Sequence, residues 1–315
     1  MPSLLRAVLA GTAALAALVG GPASARSILF VGNSFTFGEF SPAKHYQTGT
    51  VTDLNGPDRF GRTLGGMPAV FKQFTVEAGL DYQVSLETQP GVGLDFHYNQ
   101  RLPLLDRPWD EVVLQSFSTL DAGHPGDPAL LGRYAGLLTD VFEARNPQAQ
   151  VWLDSTWSRA DLTYPAGRPW SGRPIQQMGK DIEAGYETAF KAAPRAAGVI
   201  QTGLAFNRAI DTGLADADPY DGIGAGQIDI WAFDGYHASA FGYYLEALMV
   251  FGKVTGHDPL SLGEFEQAAA DFGFSPAQAH ALQQVAHDQL AAQAQPPALS
   301  PRPPMARAAH QTALK

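Results

Sequence analysis

The 315-residue chain contains no cysteine. That excludes disulfides and every metal site built on thiolate, so stability has to come from a packed core. Basic residues are scarce: 21 Lys and Arg stand against 31 Asp and Glu, a net charge of −10. A surface of that sign does not gather phosphates, so no nucleic acid is expected as a partner. A dinucleotide site is missing as well, because Gly91-Val92-Gly93 lacks the third glycine and the acidic partner. No internal repeat is present. Beyond the amino-terminal segment no apolar run approaches the about 20 residues that cross a bilayer, so stable membrane insertion is not expected.

What is present begins with an export signal. Arg6, the apolar stretch from Val8 to Val19 and Gly20-Gly21-Pro22-Ala23-Ser24-Ala25 read as n-region, h-region and an Ala-x-Ala cleavage site. The stretch is too short to serve as a membrane anchor. Residues 1–25 are therefore expected to be a signal peptide, with export to a periplasmic or extracellular location. Cleavage after Ala25 removes Arg6 and no acid, giving a net charge of −11. About 290 residues remain, enough to bury roughly three quarters of their unfolded surface in one domain without staples. That domain is expected over 26–293. Residues 294–315 are rich in Pro, Ala and Gln, hold few large apolar side chains, and read as a disordered tail.

Between these ends the chain alternates short β-like runs with helical ones. Strands are expected at Ile28 to Val31, Tyr82 to Leu86, Glu111 to Leu114, Val151 to Leu153, and from Gly198. Helices are expected at Gly66 to Ala78, Leu94 to Leu105, Pro128 to Ala144, Gln176 to Ala193 and Ala240 to Val254. Ser275-Pro276 reads as an N-cap followed by Pro at N1, opening a helix to about Gln293. Strands spaced by helices imply α/β architecture, a parallel sheet covered on both faces. Phe40 to Gly65 and Ser158 to Pro174 fall outside the rhythm and read as long loops.

Two motifs carry chemistry. The apolar run Ile28-Leu29-Phe30-Val31 breaks at Gly32-Asn33-Ser34, which holds a serine on a tight turn at the carboxyl end of a strand, where α/β proteins place ligands. Far downstream, Asp234-Gly235-Tyr236-His237 puts a carboxylate and an imidazole within one turn. Nucleophile, base and orienting carboxylate are the minimum set for acyl transfer. Read alone, Ser34 is an N-cap; the downstream pair shifts it to nucleophile.

Gly32-Asn33-Ser34 resembles the Gly-Asp-Ser block of the SGNH (GDSL-type) hydrolases, with Asn33 in place of Asp, and Asp234-Gly235-Tyr236-His237 resembles their Asp-x-x-His block. The resemblance implies a three-layer α/β/α flavodoxin-like sandwich and a Ser34, His237, Asp234 triad working without cofactor or metal. It also implies an oxyanion hole of the Ser34 N–H, a glycine N–H and an amide side chain. The glycine is Gly91, or Gly93. The chain departs from the pattern after its third strand, where Leu114-Gln115-Ser116-Phe117-Ser118 holds no Gly-x-Asn; Gln115 or Ser118 would take the amide's place.

Other residues were weighed for the cleft. Trp157 follows a strand end and is placed with Asn33, Gly93 and Ser118 as substrate-binding, whereas Trp152 reads as core and Trp170 belongs to the Arg-containing 158–174 loop. His45, His97 and His124 are scattered rather than clustered for a metal, and Asp216, Asp218, Asp221 and Asp229 read as a solvated acidic loop. The expected activity is hydrolysis of an acyl ester, with acetyl as the narrower option, on a small-molecule or carbohydrate substrate. A lipid esterase or thioesterase, and a glycan-binding protein without catalysis, stand as the rival readings.

Overall fold

The structure, a computed structural model, describes residues 25–294. The expected signal peptide, but for Ala25, and the expected tail, but for its first residue, lie outside them. Six strands, β1 (Arg26–Gly32), β2 (Thr52–Asp53), β3 (Tyr82–Thr88), β4 (Glu111–Leu114), β5 (Gln150–Asp154) and β6 (Gly198–Ile200), form one sheet in the order β2-β3-β1-β4-β5-β6. Every pairing is parallel, with Ile28 of β1 opposite Val84 of β3 and Glu111 of β4. Without the two-residue edge strand β2, this is the flavodoxin-like order. β1 then sits at the point where the chain's crossovers change direction, and a crevice opens beyond its carboxyl end.

The helices are α1 (Ser34–Phe37), α2 (Gly66–Glu77), α3 (Leu94–Phe96), α4 (Leu102–Leu105), α5 (Ala129–Arg145), α6 (Ala160–Thr163), α7 (Ile175–Ala192), α8 (Thr202–Asp211), α9 (Ala240–Thr255), α10 (Gln267–Asp271) and α11 (Pro276–Ala294). They cover both faces of the sheet. Ile28 and Phe30 point into one apolar layer with α2, α8, α9 and α11; Leu29 and Val31 point into the other, with α5 and α7. The alternation along β1 explains its unbroken apolar run, because a central strand in such a sheet is buried on both sides. α9 is apolar almost all round since α2, α8 and α11 all pack on it. α11 opens with a capping box: the Ser275 hydroxyl accepts from Gln278 N–H, and Gln278 Oε1 accepts from Ser275 N–H.

The expected strands and long helices are present with ends shifted by a few residues. Differences fall where periodicity had too little chain to act on. The 40–65 stretch carries two short 3₁₀ turns and β2, which is too short to alternate. Residues 94–105 form one irregular helix with a π turn at His97–Arg101, because Pro103 has no N–H to offer the Asn99 carbonyl. α6 lies inside the expected 158–174 loop, and α8 and α10 were not anticipated. In α8, Gly203 weakens the local helix signal, yet it is needed there, since a Cβ would collide with the Thr156 carbonyl.

Below the end of β5 the core holds acids. Asp154, Glu183 and Glu246 are all buried, and Asp154 Oδ1 accepts from the Thr202 hydroxyl at 2.6 Å. Burial pushes Asp154 up to about 7 and Glu183 up to about 7. Burial, reinforced by neighbouring Asp154, raises Glu246 well above the usual carboxylate range. The folded protein therefore keeps protons that the unfolded chain releases near pH 4. Unfolding releases protons between about pH 4 and 7, and stability falls as pH rises through that window. The urea midpoint should drop from pH 5 to pH 8, and Glu246→Gln should flatten the drop; a midpoint unchanged over that range would contradict this account of the cluster.

Candidate active site

The turn at the end of β1 is held by side-chain hydrogen bonds centred on Asn33. Gly32 ends the strand, and a Cβ there would run into Thr36 Oγ1 and lie 2.7 Å from Gln115 Oε1, so the position accepts only glycine. Asn33 caps α1, its Oδ1 accepting from Phe35 N–H at 3.0 Å. Its Nδ2 donates to the carbonyls of Val92 (2.9 Å) and Ser116 (3.0 Å), one from the loop after β3 and one from the loop after β4. Its own N–H donates to Gln115 Oε1 at 3.0 Å. Ser34 follows as the first residue of α1, 5% exposed. Its carbonyl accepts from the Tyr243 hydroxyl at 3.1 Å, and burial keeps that hydroxyl protonated by raising its pKa.

The second motif forms a tight loop between Trp231 and Ala238, which pair as an isolated antiparallel bridge. Asp234 Oδ1 accepts from the N–H groups of Tyr236 and His237, both at 3.0 Å, while Oδ2 accepts from His237 Nδ1–H at 2.6 Å. Burial pushes the Asp234 carboxyl up, but the hydrogen bonds from the His237 ring and from the two backbone N–H groups outweigh it. The net effect holds Asp234 below its ordinary value, ionised and able to stabilise an imidazolium. His237 Nε2 is buried and has no hydrogen-bond partner among the described residues. The imidazole lies 5.6 Å, ring to ring, from Phe35, the residue next to Ser34.

Of the expected site residues, Ser34, Asn33, Gly93, Gln115, Asp234 and His237 converge on this region. Asn33 does so as a brace: its side chain is spent on the protein, which leaves it no role against a ligand. A carboxylate at that position would face two carbonyl oxygens, which is why an amide replaces the Asp of the pattern. Gln115 is likewise committed, with Oε1 receiving Asn33 N–H and the Thr36 hydroxyl and Nε2 donating to the Ser116 carbonyl. Gly91 is exposed with φ +69° and nothing near its Cβ position, whereas Gly93 is buried beside Ser116. The Ser118 hydroxyl accepts from Arg159 Nη1 at 3.2 Å.

Trp157 does not line a cleft. It is 1% exposed, stacked between Phe35 (4.3 Å) and Phe206 (4.7 Å), and its indole N–H donates to the Tyr236 carbonyl at 3.2 Å. It braces the histidine loop from behind. Trp170 is also buried, its N–H on Asp181 at 2.9 Å, and His97 is buried against Glu87. Sequence reading missed Tyr243, and it placed Arg159 in the 158–174 loop without a partner. Arg159 holds Asp161 through two N–H groups (3.0 and 2.7 Å) and lies 3.6 Å above the Tyr236 ring. The only sequence signals for these two were a tyrosine within an apolar helix, which needs a partner when buried, and an arginine just past a strand end. Just past α1 a cavity of about 550 Å³ is bounded by Phe37, Glu39, Lys44, Leu54, Gln89 and Arg101, among others, a lining of mixed polar and apolar character that includes neither Ser34 nor His237.

No protein-family model and no curated protein matches the chain. Among solved structures, a DUF4886-family protein from Bacteroides uniformis is similar over 85% of this chain and 95% of its own, with TM-score 0.56 and 16% identity. A candidate SGNH hydrolase from Slackia heliotrinireducens is similar over 73% and 99%, with TM-score 0.47 and 20% identity. A candidate GDSL-like lipase from Parabacteroides merdae is similar over 73% and 95%, with TM-score 0.46 and 16% identity. The likeness to the Bacteroides protein shows a shared fold.

The Asn33 brace makes its own prediction. Asn33→Asp replaces a donor to two buried carbonyls with a carboxylate and should cost about 3 kcal/mol in denaturant unfolding. A variant as stable as the parent would mean the turn is held in another way.

Proposed function

We propose that the protein is an exported serine hydrolase of acyl esters. The observation that carries the reading is the Asp234–His237 pair, whose imidazole lies 5.6 Å from the ring of Phe35, the residue next to Ser34, with Nε2 unpartnered among the described residues. In the first half-reaction Ser34 Oγ attacks the acyl carbonyl and passes its proton to His237 Nε2. Asp234 stabilises the imidazolium through Nδ1. The N–H groups of Ser34 and Gly93 receive the oxyanion, and His237 then hands the proton to the departing alcohol. Water, activated by the same imidazole, releases the acid and frees Ser34.

Glu39, Lys44, Asn55, Gln89 and Arg101, on the cavity just past α1, would give a polar alcohol hydrogen-bonding partners. That favours a short acyl group on a polar alcohol, an acetylated carbohydrate being the class we propose. One observation favours the glycan-binding alternative: the Ser116 carbonyl takes one N–H of the Gln115 amide, which leaves it a single N–H to offer as a third donor. One oxyanion donor is typically worth about 10²–10³ in rate.

Hydrolysis of a p-nitrophenyl acyl ester series decides between them. The parent should turn over short esters best. Ser34→Ala should lower kcat about 10⁴-fold or more. Asp234→Asn keeps an oxygen for the backbone N–H groups but offers an amide to the ring, and should lower kcat about 10⁴-fold. Turnover that survives Ser34→Ala would overturn the assignment, and a folded parent inactive on every ester would favour binding without catalysis.

A further inference from the structure

Two phenylalanines stand in solvent at the edge of the candidate active site. Phe40 is 52% exposed and Phe233 is 83% exposed, and their rings lie 4.9 Å apart, tilted by 54°. The Phe40 ring also meets the His237 imidazole edge to face at 5.3 Å. Phe40 follows Ser34 by six residues and Phe233 directly precedes Asp234, so each motif contributes one ring. Other exposed apolar side chains differ: Phe60 meets the guanidinium groups of Arg59 and Arg62, Tyr220 meets the Tyr164 ring, and Ile223, Phe265 and Val76 lie outside both motifs, which calls for no explanation.

Phe40 is also held in a disfavoured backbone conformation, φ +59°, a region that bulky side chains avoid. Backbone strain is ordinarily balanced by packing, yet this ring packs into neither apolar layer of the core. Both the conformation and the exposure are unfavourable in themselves. What the conformation achieves is to hold an aromatic face against the imidazole and beside Phe233. Strain of this kind, kept without a packing return, is a mark of a site that a ligand completes.

We propose that Phe40 and Phe233 form a recognition cradle for a six-membered ring in the leaving alcohol of the ester, a pyranose or an aryl group. The proposal rests on the esterase reading. His237 has to protonate the leaving oxygen, so the alcohol departs on the imidazole's side, where the two rings stand. Tilted aromatic faces accept the apolar face of a sugar or another aromatic ring over a broad area, which a two-carbon ethyl group cannot fill. The cavity just past α1, with Glu39, Lys44 and Gln89 on its wall, offers polar partners to hydroxyl groups beyond the ring.

The test compares acetates of three alcohols: ethyl acetate, phenyl acetate and a mono-acetylated methyl glucoside, with the parent, Phe40→Ala, Phe233→Ala and Phe40→Gly. The parent should prefer a ring acetate. Each alanine variant should raise KM for that ring acetate about 10-fold, and lose far less on ethyl acetate. Phe40→Gly should show the same loss together with a Tm at or above the parent's, because it relieves the strain; a merely structural Phe40 would lower it. Whichever ring acetate loses more identifies the ring as sugar or aryl. Equal losses on all three acetates, or a lowered Tm in Phe40→Gly, would overturn the cradle while leaving the esterase intact. A parent that hydrolyses none of the three would overturn both.

Discussion

The side-chain amide of Asn33 ties three chain segments that are far apart in sequence. Its two N–H bonds reach the loops after β3 and β4, and its oxygen caps the helix that begins with Ser34. Gln115 closes the knot from the other side by accepting the Asn33 N–H. The consequence is positional: Ser34 is presented by a turn whose every neighbour is fixed by a buried hydrogen bond. Buried polar groups of this kind cost heavily when left unpaired, so the turn has one favourable arrangement and few alternatives. The glycine at 32 follows from the same knot, because Thr36 and Gln115 occupy the space a side chain would need.

The histidine loop is held by different forces. Aromatic stacking runs from Phe206 through Trp157 to Phe35, which touches His237, and the Trp157 indole fastens the Tyr236 carbonyl. From outside, the Arg159 guanidinium lies on the Tyr236 ring while Asp161 balances its charge. Gly235 lets the chain turn at φ +61°, where Tyr220 leaves no room for a side chain. Phe35 belongs to the serine helix, so one aromatic column registers the two motifs against each other. Asp234 then serves twice, as the turn's hydrogen-bond acceptor and as the partner of the ring. Fold and chemistry are not separable at that residue.

How far the sequence could be read depended on the range of the force involved. The α/β order, the long helices and the Ser34, Asp234 and His237 candidates were legible, because apolar periodicity and motif spacing are local signals. β2 was not, since two residues cannot show an alternation and its place comes from β3. Trp157 was misjudged as a cleft residue because position after a strand end says nothing about which way a ring turns; two aromatic partners from distant helices decided it. Gln115 reads from sequence equally as an oxyanion donor or as a buried amide satisfied by backbone, and its bonds to the Asn33 N–H and the Ser116 carbonyl bear out the second. The strained backbone of Phe40 left no trace in composition at all.

The central claim is that the Asn33 knot and the histidine loop together make Ser34 a nucleophile. Treatment of the folded protein with a fluorophosphonate, followed by peptide mass spectrometry, tests it most directly, because the reagent is attacked only by a serine whose proton is being withdrawn and whose oxyanion is received. The account predicts a single stoichiometric adduct on Ser34 that disappears in His237→Ala. An adduct on another serine, or an unlabelled Ser34 in protein shown to be folded, would contradict it.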